Sequence, residues 1–518
     1  MIKTLLAQVK EFRLVAILTP VCMLGEVICE MIIPILMGRI VDYGVMAGNV
    51  EFIIRTGAVM IVVALLGLTA GILGGFFAAK AGAGLARNLR KAMFDNIQTF
   101  SFSNIDHFST SSLVTRLTTD VTNIQTAFMM TLRMAMRAPS TMIVAMVMSV
   151  IISPRLASIY FIAVAFLAVF MGVMMRTTTR YFKQVFERYD LMNESVQENV
   201  SAIRVVKAYV REDYENKKFR NAAEQIYEMF IRAELRIVSI SPVMMGVVYS
   251  CILLISWFGA NMIVSDTLTT GNLMSLLTYC MNILMSLMML SMIFIMITMS
   301  EASARRIAEV IDEKSSLTNP ENPVMEVPDG SIRFEHVDFS YDPEASEPVL
   351  KDIDLEIRAG ESIGIIGGTG SAKSSLVNLI SRLYDVTKGR ILVGGIDVRE
   401  YDLDVLRRQV AVVLQKNVLF SGTIYENLRW GDENATDEEC RRACVLACAH
   451  EFIEKMPEGY NTYIEQGGTN VSGGQKQRVF LARTLAQKAP VLLLDEPMNH
   501  LDIKHIREIT KLLENDSG

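Results

Sequence analysis

A glycine-rich segment that ends in lysine and serine has the most readily interpreted chemistry in this sequence. It follows an apolar run, SIGIIG, which predicts a short buried strand, and it precedes a helical pattern, SLVNLISRLY. Between a strand and a helix, the backbone N–H groups of such a loop can surround a phosphate. Lys373 would reach the β- and γ-phosphates of ATP, and Ser374 would ligate Mg²⁺. The predicted ATP-binding residues of the loop are Gly367, Gly368, Thr369, Gly370, Ser371, Ala372, Lys373, Ser374 and Ser375.

One position departs from the strict phosphate-loop pattern G-x-x-x-x-G-K-[ST]. Ala372 stands where the second glycine is expected. If this position needs a positive φ, alanine costs on the order of 1 kcal/mol there. We expect ATP binding to tolerate that cost.

An acidic pair closes a second apolar run, VLLLDE, in the later part of the chain. Asp495 can hold Mg²⁺ through water, while Glu496 is placed to orient and deprotonate the attacking water. Gln415 follows another apolar strand pattern, VAVVLQ, and its amide could approach both the metal and that water. We therefore predict Glu496 and Gln415 as catalytic residues, and Ser374, Gln415 and Asp495 as Mg²⁺ ligands.

The segment VSGGQKQR lies between the phosphate loop and the acidic pair. Its residues Ser472, Gly473, Gly474 and Gln475 narrow the prediction to a type of ATPase whose domains work in pairs. Tyr341 ends an alternating strand pattern, IRFEHVDFSY, at a position from which its ring could stack on adenine. The alternative for Tyr341 is simple packing at the end of a strand.

Composition indicates a membrane part. Of the 518 residues, 51% are hydrophobic and 33 are Met, and the net charge of -6 argues against nucleic acid as a partner. Six apolar runs reach the length of about 20 residues that crosses a bilayer. They lie at 14–37, 56–79, 134–153, 155–175, 243–264 and 273–299. The two long connecting stretches are rich in Lys and Arg, which predicts that they, the N-terminus and the ATPase are cytoplasmic.

Two acidic residues, Glu26 and Glu30, lie one turn apart within the first predicted span. They could contact a cationic substrate or carry protons, or they could point into the helix bundle and accept hydrogen bonds. Asn282 in the sixth span has the same alternatives. That span is also rich in methionine, which suits either packing against lipid or a surface that accepts ligands of many shapes.

Together these patterns predict a helical membrane domain of six spans fused to an α/β phosphate-loop ATPase domain. We place the membrane domain at 1–312 with cytoplasmic coupling loops, a polar linker at 313–330 and the nucleotide-binding domain at 331–518.

The chain resembles a half-transporter of the ATP-binding cassette exporter family, and the similarity covers nearly the whole sequence. The resemblance implies that Tyr341 stacks on adenine, that Gln415 belongs to the Q-loop and that Ser472 to Gln475 form the signature motif. It also implies that Asp502 is the aspartate of the D-loop. The segments FSNIDHFSTSSLVTRLTTDV and VQENVSAIRVVKAYVRE resemble the family's coupling regions.

The family further implies a second half-transporter, so that Ser472 and Gly474 touch ATP held by the other subunit. The segments GGTGSAKSS and GGTNVSGGQKQR resemble the corresponding segments of bacterial multidrug-type exporters, which often form heterodimers. This resemblance favours a heterodimer over a homodimer. Against a heterodimer, Glu496 is the competent residue that weakened subunits usually replace. The implied setting is the cell membrane, with membrane lipid and a small-molecule substrate as further partners.

The last residues, after Glu496, resemble the exporter pattern less well. The resemblance implies a further strand, a switch histidine and closing helices, and these do not follow before Gly518. We therefore expect a nucleotide-binding domain lacking its C-terminal part, with impaired hydrolysis. Two hypotheses stay open: an ATP-driven exporter subunit, and a non-hydrolysing or regulatory ATP-binding subunit of a heterodimer.

Overall fold

The structure is a computed structural model of the chain. It describes residues 1–342, 345, 347–368, 370–415, 417–498 and 506–511, without the side chains of residues 179, 180, 182, 183, 186, 187, 190, 191, 194 and 237. The described chain divides into two compact units. The first contains residues 1–96 and 113–312, and the second contains residues 97–112 and 313–518.

The first unit consists of helices. They are α1 (Ile2–Ala7), α2 (Arg13–Arg39), α3 (Val50–Ile97), α6 (Val121–Ile152), α7 (Pro154–Ser201), α8 (Ile203–Ala208), α9 (Glu212–Val238), α10 (Ile240–Val264) and α11 (Thr270–Asp312). Helix α4 (Phe102–Phe108) lies in the second unit, and α5 (Thr110–Thr115) begins in the second unit and ends in the first. A 3₁₀ turn, Lys10–Phe12, precedes α2, and π-helical turns follow α2 at Ile40–Val45 and precede α6 at Arg116–Asp120.

Six helical segments are long and apolar enough to cross a membrane. They are Lys10–Val45, Val50–Ile97, Thr110–Ile152, Pro154–Thr178, Glu212–Val264 and Thr270–Asp312. Many of their Leu, Ile, Val and Met side chains are exposed, which suits contact with lipid. The prediction of six spans is confirmed, and several helices extend far beyond the length that a bilayer requires.

Helices α2 and α11 approach each other closely near one end. A Cβ added to Gly271 would lie 2.0 Å from the carbonyl oxygen of Gly38, so neither position leaves room for a side chain. The hydroxyl of Ser275 donates to the Pro34 carbonyl at 2.8 Å, and that of Tyr279 donates to the Met31 carbonyl at 2.7 Å. Small residues therefore bring the two backbones together, and hydroxyls fix the register.

We predict that Gly271→Ala destabilises the membrane unit, because its methyl group would collide with the Gly38 backbone, which cannot move aside like a side chain. Overpacking of this kind costs roughly 1–3 kcal/mol. The measurement is the thermal unfolding midpoint of the purified protein in detergent. Gly75→Ala on α3 is the matched control, since its added Cβ meets nothing within 4 Å. An unchanged midpoint in Gly271→Ala would contradict the close approach.

The second unit contains strands and shorter helices. They are β1 (Ile332–Phe339), β2 (Leu350–Ile357), α12 (Lys373–Ile380), β3 (Lys388–Val393), β4 (Ile396–Asp397), α13 (Leu403–Gln409), β5 (Val410–Val413), β6 (Gly422–Thr423), α14 (Ile424–Leu428), α15 (Asp437–Leu446), α16 (His450–Glu454), β7 (Tyr463–Ile464), α17 (Gly473–Ala486) and β8 (Val491–Leu494). Short 3₁₀ turns lie at Gly459–Asn461 and Gln466–Gly468.

Three small sheets organise this unit. One is antiparallel with the order β2-β1-β3-β4, a second pairs β5 with β8 in parallel, and the third pairs β6 with β7. Four residues of β1, namely Ile332, Phe334, Val337 and Phe339, are buried in a core shared with α12. A second core joins α14, α15 and α17 to Val413 at the end of β5. The strands predicted from IRFEHVDFSY, VAVVLQ and VLLLDE are confirmed.

The strand predicted before the phosphate loop is wrong. Residues 361–368 form neither strand nor helix, and their side chains are exposed, with Ile366 at 98%. Among the described residues, β5 and β8 pair only with each other, so no neighbouring strand supplies backbone hydrogen bonds to this segment. An apolar pattern predicts a buried strand only where another element covers it.

Candidate ATP-binding and hydrolysis site

The parallel pairing of β5 and β8 brings Gln415 to Glu496. Val413 is paired with Leu494, and the N–H of Asp495 donates to the Val413 carbonyl at 3.0 Å. Immediately beyond the strands, the Gln415 amide nitrogen donates to Glu496 Oε2 at 3.1 Å. The two residues that we predicted to be catalytic therefore lie in direct contact.

The backbone also contributes to this arrangement. Glu496 has a φ of 51°, in the left-handed region that residues other than glycine rarely adopt. Asp495 is only 7% exposed. Oxygen ligands are those that Mg²⁺ prefers, and the carboxylate of Asp495, the hydroxyl of Ser374 and the amide oxygen of Gln415 fit that preference by type.

The phosphate loop leads into the first turn of α12. Lys373 is the first residue of the helix, and its ammonium group donates to the carbonyls of Gly367 at 2.8 Å and Gly368 at 3.0 Å. The lysine therefore folds over its own loop, where a phosphate would be surrounded. Two predicted site residues, Thr369 and Asp502, lie outside the described residues.

Ala372 has the conformation that glycine favours. Its φ is 61° and its ψ is 23°, which is left-handed, and it caps the N-terminus of α12. The condition that we set for a cost at this position is met. A left-handed alanine costs roughly 1–2 kcal/mol compared with the right-handed conformation.

We predict that Ala372→Gly keeps the affinity for ATP and unfolds at an equal or higher temperature. Glycine relieves the left-handed strain, although its greater freedom in the unfolded chain offsets part of that gain. Titration with a fluorescent ATP analogue and a thermal scan measure the two effects. The comparison variant, Ala372→Val, should bind nucleotide more weakly because a β-branched residue tolerates positive φ poorly. A large loss of affinity in Ala372→Gly would refute this interpretation.

Tyr341 lies beside the phosphate-loop helix. Its hydroxyl is 3.0 Å from the hydroxyl of Ser375, which is buried in α12. Its ring packs edge-on against Phe339, with the centroids 4.7 Å apart, yet the residue is 48% exposed. An open aromatic ring next to the loop suits the adenine stacking that we predicted, while its packing against Phe339 matches the alternative.

Sequence reasoning missed Tyr384, which follows α12. Its ring lies edge-on to Tyr341 with the centroids 5.1 Å apart, and its hydroxyl donates to Asp106 Oδ2 at 2.6 Å. Phe102 also meets this ring edge-on, at 6.0 Å. Burial raises the pKa of the Tyr384 hydroxyl, and the bond to Asp106 raises it further, so it stays a protonated donor at neutral pH.

Tyr384 therefore links helix α4, which carries Phe102 and Asp106, to the surroundings of Tyr341. Asn104 of α4 is held as well, because its amide nitrogen donates to Glu313 Oε1 at 2.6 Å and to the Lys314 carbonyl at 3.1 Å. Two features of the sequence could have indicated this contact: Tyr384 just after the phosphate-loop helix, and Asp106 in the predicted coupling segment. Their pairing becomes visible only in three dimensions.

We predict that Tyr384→Phe loosens α4, because it removes the hydroxyl bond to Asp106 but keeps the ring. The bond is partly exposed, so its loss should cost about 1 kcal/mol. Hydrogen exchange of the α4 backbone amides in the full chain should become faster by several-fold. Tyr401→Phe is the control, since its hydroxyl bonds the Val393 carbonyl at 2.7 Å within the antiparallel sheet. Unchanged exchange in α4 would contradict this role.

The segment with Ser472, Gly473, Gly474 and Gln475 forms the N-terminus of α17. Ser472 caps the helix: its hydroxyl accepts from the Gln475 N–H at 3.3 Å, and the Gln475 side chain accepts from the Ser472 N–H at 2.8 Å. Ser472 and Gly473 are exposed. The positive end of a 14-residue helix thus points out of the unit, which suits an anion brought by another molecule.

Helix α17 is also tied to the end of β8. The Gln477 side chain donates to the Pro497 carbonyl at 3.1 Å, just after Glu496. Four of the predicted groups have contacts in the described part of the chain: Gln415 contacts Glu496, Tyr341 contacts Ser375, Lys373 bonds its own loop, and the Ser472 bonds stay within its cap.

Comparison with known proteins gives two family matches. Residues 16–288 match the model described as ABC transporter transmembrane region, and residues 350–499 match the model described as ABC transporter. The uncharacterized ABC transporter ATP-binding protein YfiB of Bacillus subtilis strain 168 is 36% identical over 499 residues, which cover 96% of this chain and 87% of YfiB. This chain belongs to the ABC transporter family.

Other relatives agree with this assignment. An uncharacterized ABC transporter ATP-binding protein of Mycobacterium tuberculosis is 33% identical over 524 residues, covering the whole chain and 90% of that protein. An ATP-dependent lipid A-core flippase of Desulfotalea psychrophila is 31% identical over 441 residues, covering 84% of this chain and 76% of the flippase. The predicted resemblance to an exporter half-transporter is confirmed: this ABC transporter chain carries one transmembrane region and one ATPase domain.

Proposed function

We propose that this ABC transporter chain hydrolyses ATP to export amphipathic substrates, drug-like molecules or lipids. The observation that carries the proposal is the contact of Gln415 with Glu496 at the end of two paired strands, on a chain that also has six helical segments long and apolar enough to cross a membrane. A carboxylate held by an amide at this position suits a base that activates water. Relatives named as lipid A-core flippases support a substrate with an apolar tail.

Each residue has a proposed role in this cycle. Lys373 and the loop around it bind the phosphates of ATP, and Tyr341 stacks on adenine. Ser374, Gln415 and Asp495 hold Mg²⁺, Glu496 deprotonates the attacking water, and Asp502 belongs to the D-loop. We propose residues 1–312 as the membrane domain, 313–330 as the linker and 331–518 as the ATPase, which faces the cytoplasm from the cell membrane.

A second half-transporter completes the site in this proposal. The exposed N-terminus of α17, with Ser472, Gly473, Gly474 and Gln475, presents N–H groups outward and would touch the γ-phosphate of ATP bound to the partner. We favour a heterodimer because the segments GGTGSAKSS and GGTNVSGGQKQR resemble those of exporters that often form heterodimers. The alternative role, a non-hydrolysing ATP-binding subunit, would leave hydrolysis to the partner.

The test is ATP-driven movement of a fluorescent short-chain lipid across vesicles that contain the purified chain, alone and with a co-purified half-transporter. We expect ATP-dependent movement that vanadate inhibits. Glu496→Gln should lower ATP turnover by about 100-fold or more, because removal of a general base has effects of this size. The rate of ATP turnover is measured as phosphate release in the same vesicles.

Glu465→Gln is the matched control for this experiment. Glu465 lies in a turn, where it accepts a hydrogen bond from Thr469, so the same change of charge should leave turnover near the wild-type rate. Turnover that survives in Glu496→Gln would assign hydrolysis to the partner and support the alternative role. ATP-driven movement that no variant alters would refute the proposed site.

A further inference from the structure

A charged cluster joins two helices of the first unit that are long and apolar enough to cross a membrane. The Arg137 guanidinium on α6 donates through Nη1 to Glu26 Oε1 at 2.9 Å and through Nη2 to Glu30 Oε2 at 3.1 Å, both on α2. Glu26 is the central residue of α2 (Arg13–Arg39), so the cluster lies deep in the predicted span. We call Glu26, Glu30 and Arg137 the membrane triad.

The membrane triad does not balance its own charge. Two carboxylates share one guanidinium, which leaves one negative charge in excess. Arg133 lies one helical turn before Arg137 on the same side of α6, and the ion pairs of the triad are made by Arg137. An ionisable group within a membrane span is costly, and such groups commonly mark a path for a substrate or an ion.

One oxygen of the triad has no hydrogen-bond donor among the described residues. It is Glu26 Oε2, which is buried, while the Glu26 side chain as a whole is 19% exposed. Helix α3 makes room for it, since a Cβ added to Gly71 would lie 3.1 Å from Glu26 Oε1. A buried carboxylate oxygen without a donor costs free energy, and a ligand that carries a cation or N–H groups would recover it.

The triad also has an open side. The side chains of Glu30 and Arg137 are 41% and 31% exposed. Nearby on α11, the Asn282 amide nitrogen lies 3.9 Å from Met31 Sδ, next to Glu30 along α2. Exposed methionines of α11, such as Met285, offer an adaptable apolar surface. A ligand with a cationic group and an apolar tail suits these surroundings.

We propose that the membrane triad binds the ammonium group of the transported amphiphile. This inference rests on the proposed export function and specifies its substrate class. The ammonium is attracted by the excess negative charge of Glu26 and Glu30, which the single guanidinium of Arg137 neutralises only in part. An ammonium can come from a lipophilic organic cation or from a zwitterionic lipid headgroup, and in the second case Arg133 would meet the phosphate.

The test is equilibrium binding of a fluorescent lipophilic quaternary ammonium dye to the full chain in lipid nanodiscs without nucleotide, read by anisotropy against empty nanodiscs. Glu30→Gln removes the excess charge but keeps the Glu26–Arg137 pair, so dye binding should weaken by about tenfold. Arg137→Gln increases the excess negative charge, so binding should stay equal or become tighter. A purely structural triad would instead lose binding in both variants or in neither.

Three competitors with the same octyl chain identify the ligand. Octyltrimethylammonium should displace the dye, and octyl glucoside should not. If octylphosphocholine competes as well and Arg133→Gln weakens only that competitor, the source is a zwitterionic headgroup; if it does not compete, the source is an organic cation.

The proposal is overturned if Glu30→Gln binds the dye as the wild type does, or if octyl glucoside competes as well as the ammonium. Glu301→Gln on α11 is the charge-matched control, because Glu301 is exposed and pairs with Arg305 four residues away. The assay uses no ATP. Failure of ATP-driven transport is therefore a separate result from failure of ammonium binding.

Discussion

The pairing of two short parallel strands is the constraint on which the proposed hydrolysis site depends. β5 and β8 match from Val410 with Val491 to Val413 with Leu494, and the residues after both strands therefore emerge at one edge. A slip of one residue would turn the side chains at that edge to the opposite face. The core that buries Val413 with helices α14, α15 and α17 holds this register. The contact between Gln415 and Glu496 therefore follows from the pairing of β5 with β8.

Side-chain contacts in the second unit involve three more elements of the proposed site: helix α17, the phosphate-loop helix α12 and Tyr341. Helix α17, which begins at the signature segment, is tied to Pro497, just beyond Glu496. On the antiparallel side, Tyr341 touches Ser375 of the phosphate-loop helix and the ring of Tyr384, and Tyr384 bonds Asp106 of α4. A nucleotide that shifts Tyr341 would act directly on the residue that holds α4.

Much of this organisation could be predicted from the sequence, because the responsible signals are local. The length of an apolar run indicates a membrane span without any knowledge of its neighbours. In the same way, the order of residues around Lys373 is enough to predict a phosphate-binding loop. Contacts between distant segments carry no such signal, so Tyr384 with Asp106 and Arg137 with two glutamates were missed. The strand before the phosphate loop was mispredicted for the same reason, since Ile363 and Ile366 form a strand only if another strand lies alongside.

The central claim is that Glu496 of this chain hydrolyses the ATP bound at Lys373. Single-turnover phosphate release tests it most directly: the protein is loaded with labelled ATP in the absence of Mg²⁺, Mg²⁺ is added rapidly, and bound nucleotide and released phosphate are counted. We predict a burst of phosphate from the wild type, whereas Glu496→Gln retains the same amount of bound nucleotide as intact ATP. A phosphate burst of equal size in Glu496→Gln would contradict the claim.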